Sequence, residues 1–268
     1  MYQSEKLLFL HMQKTGGTHI RRVLKNVIGG IDADHFEDKH KRLSQNTHKY
    51  VFGTIRNPWS WYVSLWAFGC ERQGGWVYDN LTLRQLMPRR IARELVFFRN
   101  PAYLPDRLRG DYDYGRYLYA DAMKIDRFRE WLEYIHDGRG KYTLPDSYGR
   151  SRVAGFTGYM TYQFVLQFAQ NMAWRRCRSA QALKEYMDRH FLTDKIIKLE
   201  NAKTQLLTVL EEVGYDLSPA QRETYDSLFS KKTNTSEHLP YRDYYDPKTI
   251  EMVREKDKII IERFGYEF

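Results

Sequence analysis

Three short apolar runs, each followed by a polar turn and a segment with helical spacing, organise the chain. They cover residues 7–10, 50–55 and 195–199. Short apolar runs bounded by turn signals are typical of buried strands. Behind the first run, apolar residues recur at the three- and four-residue spacing of one helix face: Ile20, Val23, Leu24, Val27 and Ile28. Strands that alternate with helices predict an α/β protein with a central parallel sheet.

Start signals predict further helices. A capping residue followed by proline occurs at 57–58, 218–219 and 246–247, and the last of these predicts one final element that closes at about Phe264. From residue 71 to about 148 the chain is rich in Arg and Tyr, and helices are expected over 82–98 and 126–136. A mostly helical insertion on the acceptor side is expected over about 71–190. We therefore predict a single domain over residues 1–268, with a mostly helical insertion.

The turn after the first strand has the composition of an anion cradle. Its residues are Lys14, Thr15, Gly16, Gly17 and Thr18. The first N–H groups of a helix are unpaired and its dipole is positive there, so a phosphate or sulfate binds well. Two threonine hydroxyls and one lysine add donors. The lysine precedes the glycines, which excludes the Walker A order, and the dinucleotide pattern Gly-x-Gly-x-x-Gly is absent too.

The turn after the second strand repeats this logic. Arg56 ends the strand, and Ser64 lies about two turns into the following helix. Ligands of parallel sheets bind beyond the carboxyl ends of the strands. The two turns together therefore predict a nucleotide with anionic groups at two ends.

Composition narrows the class of protein. The 268 residues carry a formal net charge of +9, which favours an anionic partner, and an aromatic share of 15%, which a disordered chain would not have. Cys70 and Cys177 are the two cysteines, too few for a zinc site of their own. The first six residues lack the features of a signal peptide, and no apolar run reaches the length of a membrane span. We expect a cytoplasmic protein without a bound metal.

Three stretches resemble one enzyme family. Residues 10–18 resemble the 5′-phosphosulfate loop of sulfotransferases that use 3′-phosphoadenosine 5′-phosphosulfate (PAPS), in the carbohydrate branch that includes heparan-sulfate-type O-sulfotransferases and bacterial relatives. Residues 52–64 are similar to the family's 3′-phosphate motif, in which an Arg and a Ser eight residues later bind that phosphate; here these are Arg56 and Ser64. The ending, residues 241–266, also resembles this branch.

The resemblance implies a fold and a cofactor. It implies a P-loop-like three-layer fold, PAPS as the donor and adenosine 3′,5′-bisphosphate as the product, without a metal. The N–H groups from Thr15 to Thr18 would hold the 5′-phosphate, and Lys14 would neutralise the oxygen that leaves sulfur. Arg56 and Ser64 would bind the 3′-phosphate. A late loop, residues 231–236, would supply further nucleotide contacts.

The acceptor hydroxyl needs a general base, and histidine suits that role near neutral pH. The family places a base in the loop that contains His40, so His40 is the first candidate and His35 the second; Asp and Glu stay open. His11, on the strand, is expected to be a core residue with its hydrogen bonds satisfied. Residues 150–159 fit either an acceptor-binding wall or a packed helix–loop junction. The acceptor is expected to be a carbohydrate or glycoconjugate.

Two other functions compete. A nucleotide or small-molecule kinase shares the fold class, but it needs the Walker order and a magnesium carboxylate. A basic nucleic-acid-binding protein would explain the charge and the interleaved Arg and Tyr residues. It would leave the two phosphate turns unexplained, so nucleic acid is not an expected partner.

Overall fold

The computed structural model describes residues 1–32, 48–71, 75–82, 111–136, 139–230 and 237–268. The chain divides into two compact units. The sheet unit comprises Met1–Asn57, Gln163–Trp174 and Gln181–Thr235. The helical unit comprises Pro58–Tyr162, Arg175–Ala180 and Ser236–Phe268. A single domain over the whole chain stays a prediction.

The sheet unit holds an open five-stranded sheet. Its strands are β1 (Tyr2–Gln3), β2 (Leu7–His11), β3 (Ile31–Asp32), β4 (Tyr50–Ile55) and β5 (Lys195–Lys198). Their order is β3-β1-β2-β4-β5. Strands β2, β4 and β5 are parallel, while β1 pairs antiparallel with both β2 and β3. The predicted α/β class and the three predicted strands are confirmed. The two-residue strands β1 and β3 were not predicted, because so short a strand has no readable period.

The described residues form eleven α-helices, joined in places by 3₁₀ turns. They are α1 (Gly17–Ile28), α2 (Pro58–Cys70), α3 (Trp76–Thr82), α4 (Tyr112–Leu118), α5 (Ile125–His136), α6 (Tyr159–Phe168), α7 (Ala180–His190), α8 (Ala202–Glu212), α9 (Pro219–Ser230), α10 (Pro247–Lys256) and α11 (Lys258–Phe264). Each described helix is too short or too polar to span a lipid bilayer.

The core of the sheet unit lies between the strands and helices α1, α8 and α9. The predicted apolar face of α1 is buried there, with Ile20, Val23 and Leu24 fully covered. Leu206 and Leu210 of α8 belong to the same apolar cluster. Burying one such side chain contributes about 1.5–3 kcal/mol. This packing therefore sets the position of the amino end of α1 over the end of β2.

Helix α2 is the centre of the helical unit. It is apolar on nearly every side, which is typical of a helix buried all round. Trp59, Trp61 and Trp66 are almost completely covered. The indole N–H groups of Trp59 and Trp66 donate to the carbonyls of Ile250 and Leu118, at 3.1 and 3.0 Å. The helix predicted to end at Cys70 is thus confirmed, starting at Pro58.

The helical expectation for residues 71–190 is met where the structure describes them. Helix α5 covers the predicted 126–136 segment. Of the helix predicted over 82–98, Thr82 ends α3 and the other residues lie outside the described part. Residues 150–159 form a packed junction, with Val153 buried and the Tyr148 hydroxyl donating to the Thr157 carbonyl at 2.8 Å. A role of this stretch in acceptor binding stays a prediction.

The final element differs from the prediction. It begins as expected, with Asp246 and Thr249 forming a capping box at α10. The prediction of one continuous final element is wrong, however, because the helix is interrupted at Asp257, between α10 and α11. The carboxylate of Asp257 is completely buried and accepts hydrogen bonds from Thr161 and Tyr62. These distant partners are invisible in the local pattern.

Candidate anion-binding site

Three loops leave the same edge of the sheet. The register pairs His11 with Thr54 and Ile55 with Lys198, so β2, β4 and β5 end almost level. The loops that follow them are residues 12–16, 56–57 and 199–201. The prediction that the first two turns share an edge is confirmed. Sequence reasoning predicted the third polar turn but gave it no role at this edge, although the Glu-Asn pair directly after the strand could have indicated one.

The first loop is built from two residues in the left-handed backbone region. Gly16 has a φ of 76° and caps α1, and Lys14 has a φ of 61°. Glycine adopts this conformation without strain, whereas a residue with a Cβ pays roughly 1–2 kcal/mol. Ile20 N–H donates to the Gly16 carbonyl at 3.0 Å, which starts the helical ladder. The amino end of α1, at Gly17, therefore lies three residues after Lys14.

Thr15 holds this loop against strand β4. Its side chain is fully buried, and its hydroxyl donates to the Met12 carbonyl at 2.7 Å. The hydroxyl of Thr54 lies 2.9 Å away and supplies the second hydrogen bond. The Thr15 hydroxyl as a ligand donor stays a prediction, and it would require this hydroxyl to release the Met12 carbonyl. The Thr15 backbone N–H as a phosphate donor stays a prediction too.

Both glycines of the loop allow a close approach by a neighbouring side chain. A Cβ on Gly16 would lie 2.4 Å from Leu199 Cδ1, in the third loop. A Cβ on Gly17 would lie 2.1 Å from His11 Cδ2, at the end of β2. Contacts this short do not occur in folded proteins. Glycine is therefore required at position 16 by the left-handed turn, and at position 17 by the close approach of the His11 ring.

The third loop fixes the backbone next to Arg56. The Glu200 carboxylate accepts a hydrogen bond from the Asn57 N–H at 2.7 Å. Arg56 itself is half-buried and stands between the end of β4 and this anchored residue. The guanidinium is always cationic and matches phosphate oxygens with two parallel donors. Glu200 thus holds the backbone directly after Arg56.

His11 lies at the end of β2 and does not match its predicted environment. Its Nδ1 is buried and has no hydrogen-bond partner, so the expectation of a satisfied core histidine is wrong for this atom. The ring stacks on Phe9, with centroids 5.6 Å apart. Burial, with smaller contributions from the terminal amine and Arg21, lowers the pKa of His11 to about 4. The imidazole is consequently neutral at pH 7.

The other predicted site residues differ in burial and in location. Lys14 is half-buried, and Thr18 is exposed on the first turn of α1. Ser64 is buried on α2, in the helical unit. His35 and His40 lie outside the described residues, and so does the late loop at 231–236. The assignment of a general base therefore stays a prediction.

The described residues contain no cluster of metal-binding side chains. No group of three or more His, Cys, Asp and Glu side chains there could hold a metal ion. Both cysteines are free thiols. Burial raises the pKa of the Cys70 thiol to about 12, so it stays protonated and is a poor ligand. Metal-independent chemistry remains a prediction.

The edge is chemically suited to an anion. A helix amino end, a lysine in the preceding turn and an arginine after the adjacent strand all favour negative charge. The chain matches no protein-family model, no curated protein and no solved structure in the comparisons made.

Proposed function

We propose that the protein transfers a sulfuryl group from PAPS to an acceptor hydroxyl, on a carbohydrate or glycoconjugate. The observation that carries the proposal is the common edge of Lys14 and Arg56. They follow His11 and Thr54, which are paired directly across parallel strands. Two cationic turns at one sheet edge suit a ligand with two separated anionic groups. PAPS is such a ligand, since it has a phosphosulfate at one end and a phosphate at the other.

The proposed donor site assigns each anion to one turn. The 5′-phosphosulfate binds the backbone N–H groups from Thr15 to Thr18 at the amino end of α1. The 3′-phosphate binds Arg56. The resemblance adds Ser64 as a second donor to that phosphate. A P-loop-like three-layer fold in a single domain over residues 1–268 belongs to the same proposal.

The proposed chemistry is an in-line displacement at sulfur. The acceptor oxygen attacks the sulfur, the bond from sulfur to the bridging phosphate oxygen breaks, and adenosine 3′,5′-bisphosphate leaves. Such transfers depend mainly on positioning and on relief of charge at the leaving oxygen. Lys14 supplies that relief. His40, or failing it His35, takes the proton of the acceptor hydroxyl.

Nucleotide binding by the full chain tests the proposal. Calorimetry should show tighter binding of adenosine 3′,5′-bisphosphate than of adenosine 5′-monophosphate, which lacks the second anion. ATP with magnesium, NAD and a DNA oligonucleotide complete the panel. Tighter binding of ATP with magnesium would support a kinase. Binding of the oligonucleotide alone, weakened by salt, would support a nucleic-acid-binding protein.

Sulfate transfer is then measured directly. The full chain is incubated with radiolabelled PAPS and a panel of hydroxyl acceptors that includes heparan-type polysaccharides, a glycolipid and a tyrosine peptide. Label on a saccharide supports the whole proposal. Label on the peptide alone retains the sulfotransferase and rejects the carbohydrate acceptor.

A further inference from the structure

A buried polar network joins four elements of the helical unit. It contains Tyr62 of α2, His136 at the end of α5, Thr161 of α6 and Asp257 between α10 and α11. All four side chains are at most 1% exposed. Buried polar groups need hydrogen-bond partners, and a buried charge is costly without them. The pattern of donors and acceptors therefore constrains the protons in this network.

The carboxylate of Asp257 is the acceptor at one end. Its Oδ1 accepts from the N–H and from the hydroxyl of Thr161, at 2.8 and 2.7 Å. Its Oδ2 lies 2.7 Å from the Tyr62 hydroxyl oxygen. A Cβ on Gly158 would lie 2.4 Å from the same Oδ2. The absence of a side chain at Gly158 thus allows the carboxylate to sit this deep.

The imidazole of His136 stands at the other end. Its Nδ1 lies 2.9 Å from the Leu132 carbonyl oxygen, which can only accept, so Nδ1 carries a hydrogen. Its Nε2 lies 3.0 Å from the Tyr62 hydroxyl. The same hydroxyl also accepts from the Met160 N–H at 3.1 Å. Tyr62 is therefore the link between His136 and Asp257.

Counting hydrogens shows that this link is one proton short in the usual ionisation states. A phenol has a single hydrogen. If Asp257 is ionised and His136 is neutral, Oδ2 and Nε2 compete for that hydrogen, and one contact has lone pairs on both sides. One added proton resolves the conflict. If the proton is on His136 Nε2, that nitrogen donates to the Tyr62 oxygen, and the Tyr62 hydroxyl donates to Asp257. If the proton is on Asp257 Oδ2, the carboxyl donates to the Tyr62 oxygen, and the Tyr62 hydroxyl donates to His136.

We propose that His136, Tyr62 and Asp257 form a buried site that binds one proton in the folded protein at neutral pH. The site does not depend on the proposed sulfotransferase function. Burial raises the pKa of the Asp257 carboxyl despite the hydrogen bonds from Thr161 and Tyr62, which agrees with proton retention. Two other titratable groups interact with Asp257: Lys256, whose charge opposes retention, and the phenol of Tyr245. The phenol of Tyr148 interacts with Tyr62.

The site couples folding to pH with a definite sign. In the unfolded chain, His titrates near about 6.5 and Asp near about 3.9, so above pH 6.5 neither holds the proton. Folding then takes up one proton. Above pH 6.5, this site therefore lowers the folding equilibrium constant about tenfold per pH unit, until the folded site releases its proton.

The variant Asp257→Asn separates this site from other titrations. The amide nitrogen can donate to Tyr62 as the protonated carboxyl would, and it does not titrate. Unfolding of the full chain in denaturant is measured between pH 7 and 8.5. For each pH unit, the folding equilibrium constant of the wild type should fall about tenfold more than that of Asp257→Asn. Asp246→Asn, a capping carboxylate in the same unit, should follow the wild type. Equal slopes for the wild type and Asp257→Asn would overturn the proposal.

Spectroscopy of the folded wild type reads the proton directly. At pH 7, nitrogen NMR reports the charge of the His136 imidazole, and infrared spectroscopy reports whether the Asp257 carboxyl is protonated. Both signals are assigned by comparison with the spectra of Asp257→Asn. An imidazolium with a carboxylate supports the proposal, and so does a neutral imidazole with a carboxylic acid. A neutral imidazole with a carboxylate overturns it.

Discussion

The hydroxyl oxygens of Thr15 and Thr54 lie 2.9 Å apart, and both residues are completely buried. This contact ties the loop after β2 to the adjacent strand β4. The Thr15 hydroxyl also donates to Met12 within its own loop. The backbone that leads into the amino end of α1 is therefore held by side-chain hydrogen bonds as well as by the helix.

Replacing Thr15 by valine should destabilise the protein. The methyl group fills the volume of the hydroxyl, but it leaves the Met12 carbonyl and the Thr54 hydroxyl without their partner. An unsatisfied buried polar group costs about 1–3 kcal/mol. Denaturant unfolding measures the loss. Thr18→Val, on the exposed side of the same turn, is the matched control and should leave stability within about 0.5 kcal/mol. Equal effects of the two variants would contradict the assigned role.

Gly17→Ala should also destabilise, because the added Cβ would meet the His11 ring at 2.1 Å. Overpacking of this kind costs about 1–3 kcal/mol. In the background of His11→Ala the ring is gone and only the Cβ at position 11 remains close, at 2.8 Å, so the same substitution should cost less. Gly155→Ala is the control, since a Cβ there meets nothing within 4 Å. The coupling is obtained in a double-mutant cycle from the unfolding free energies of the wild type, the two single variants and the double variant.

Acid should destabilise the sheet unit through His11. The folded pKa is lowered to about 4, whereas the unfolded histidine titrates near about 6.5. Between these values the unfolded chain binds the extra proton, so stability falls as pH falls from 6.5 to 4. His11→Phe keeps a flat ring against Phe9 and removes the titration. Its unfolding free energy should fall less steeply over this interval than that of the wild type; parallel curves would show that His11 is not responsible.

Arg56→Ala should weaken binding of adenosine 3′,5′-bisphosphate. Loss of a hydrogen-bonded charge to phosphate costs about 1.5–3 kcal/mol, or about ten- to a hundredfold in Kd. Binding of adenosine 5′-monophosphate should change little. Arg189→Ala is the control, because Arg189 pairs with Glu185 on the exposed face of α7. Calorimetry that shows the same loss for both nucleotides would move the 3′-phosphate away from Arg56.

Lys14→Ala should lower kcat for sulfate transfer from PAPS by about a hundred- to a thousandfold, as removal of a donor to a developing anion does in other enzymes. Affinity for PAPS should fall much less, because the charge on the bridging oxygen develops only as the bond to sulfur breaks. Lys184→Ala, an exposed lysine on α7, should retain full turnover. Near-normal turnover of Lys14→Ala would remove Lys14 from the chemistry.

Local pattern was enough for much of the sheet unit. Residues 50–55 predicted β4 with its exact bounds, and the apolar spacing behind the glycines predicted the buried face of α1. These features depend on neighbours within a few positions, which is where periodicity and capping act. The parallel pairing of the first two strands followed from the alternation of strands and helices. It placed Lys14 and Arg56 at one edge before any contact was known.

Only the tertiary structure decided which groups hold that edge together. Thr15 meets Thr54 across 39 positions, and Glu200 meets Asn57 across 143. Asp257, at the break between α10 and α11, meets Tyr62 across 195 positions. No local pattern contains such contacts, because they arise when separately formed elements pack and their buried polar groups must find partners. The sequence by itself thus determined the strands, the helix faces and the residue types of the two turns. The packing determined that the Thr15 hydroxyl meets Thr54, that burial lowers the pKa of His11 and that Asp257 shares a buried network.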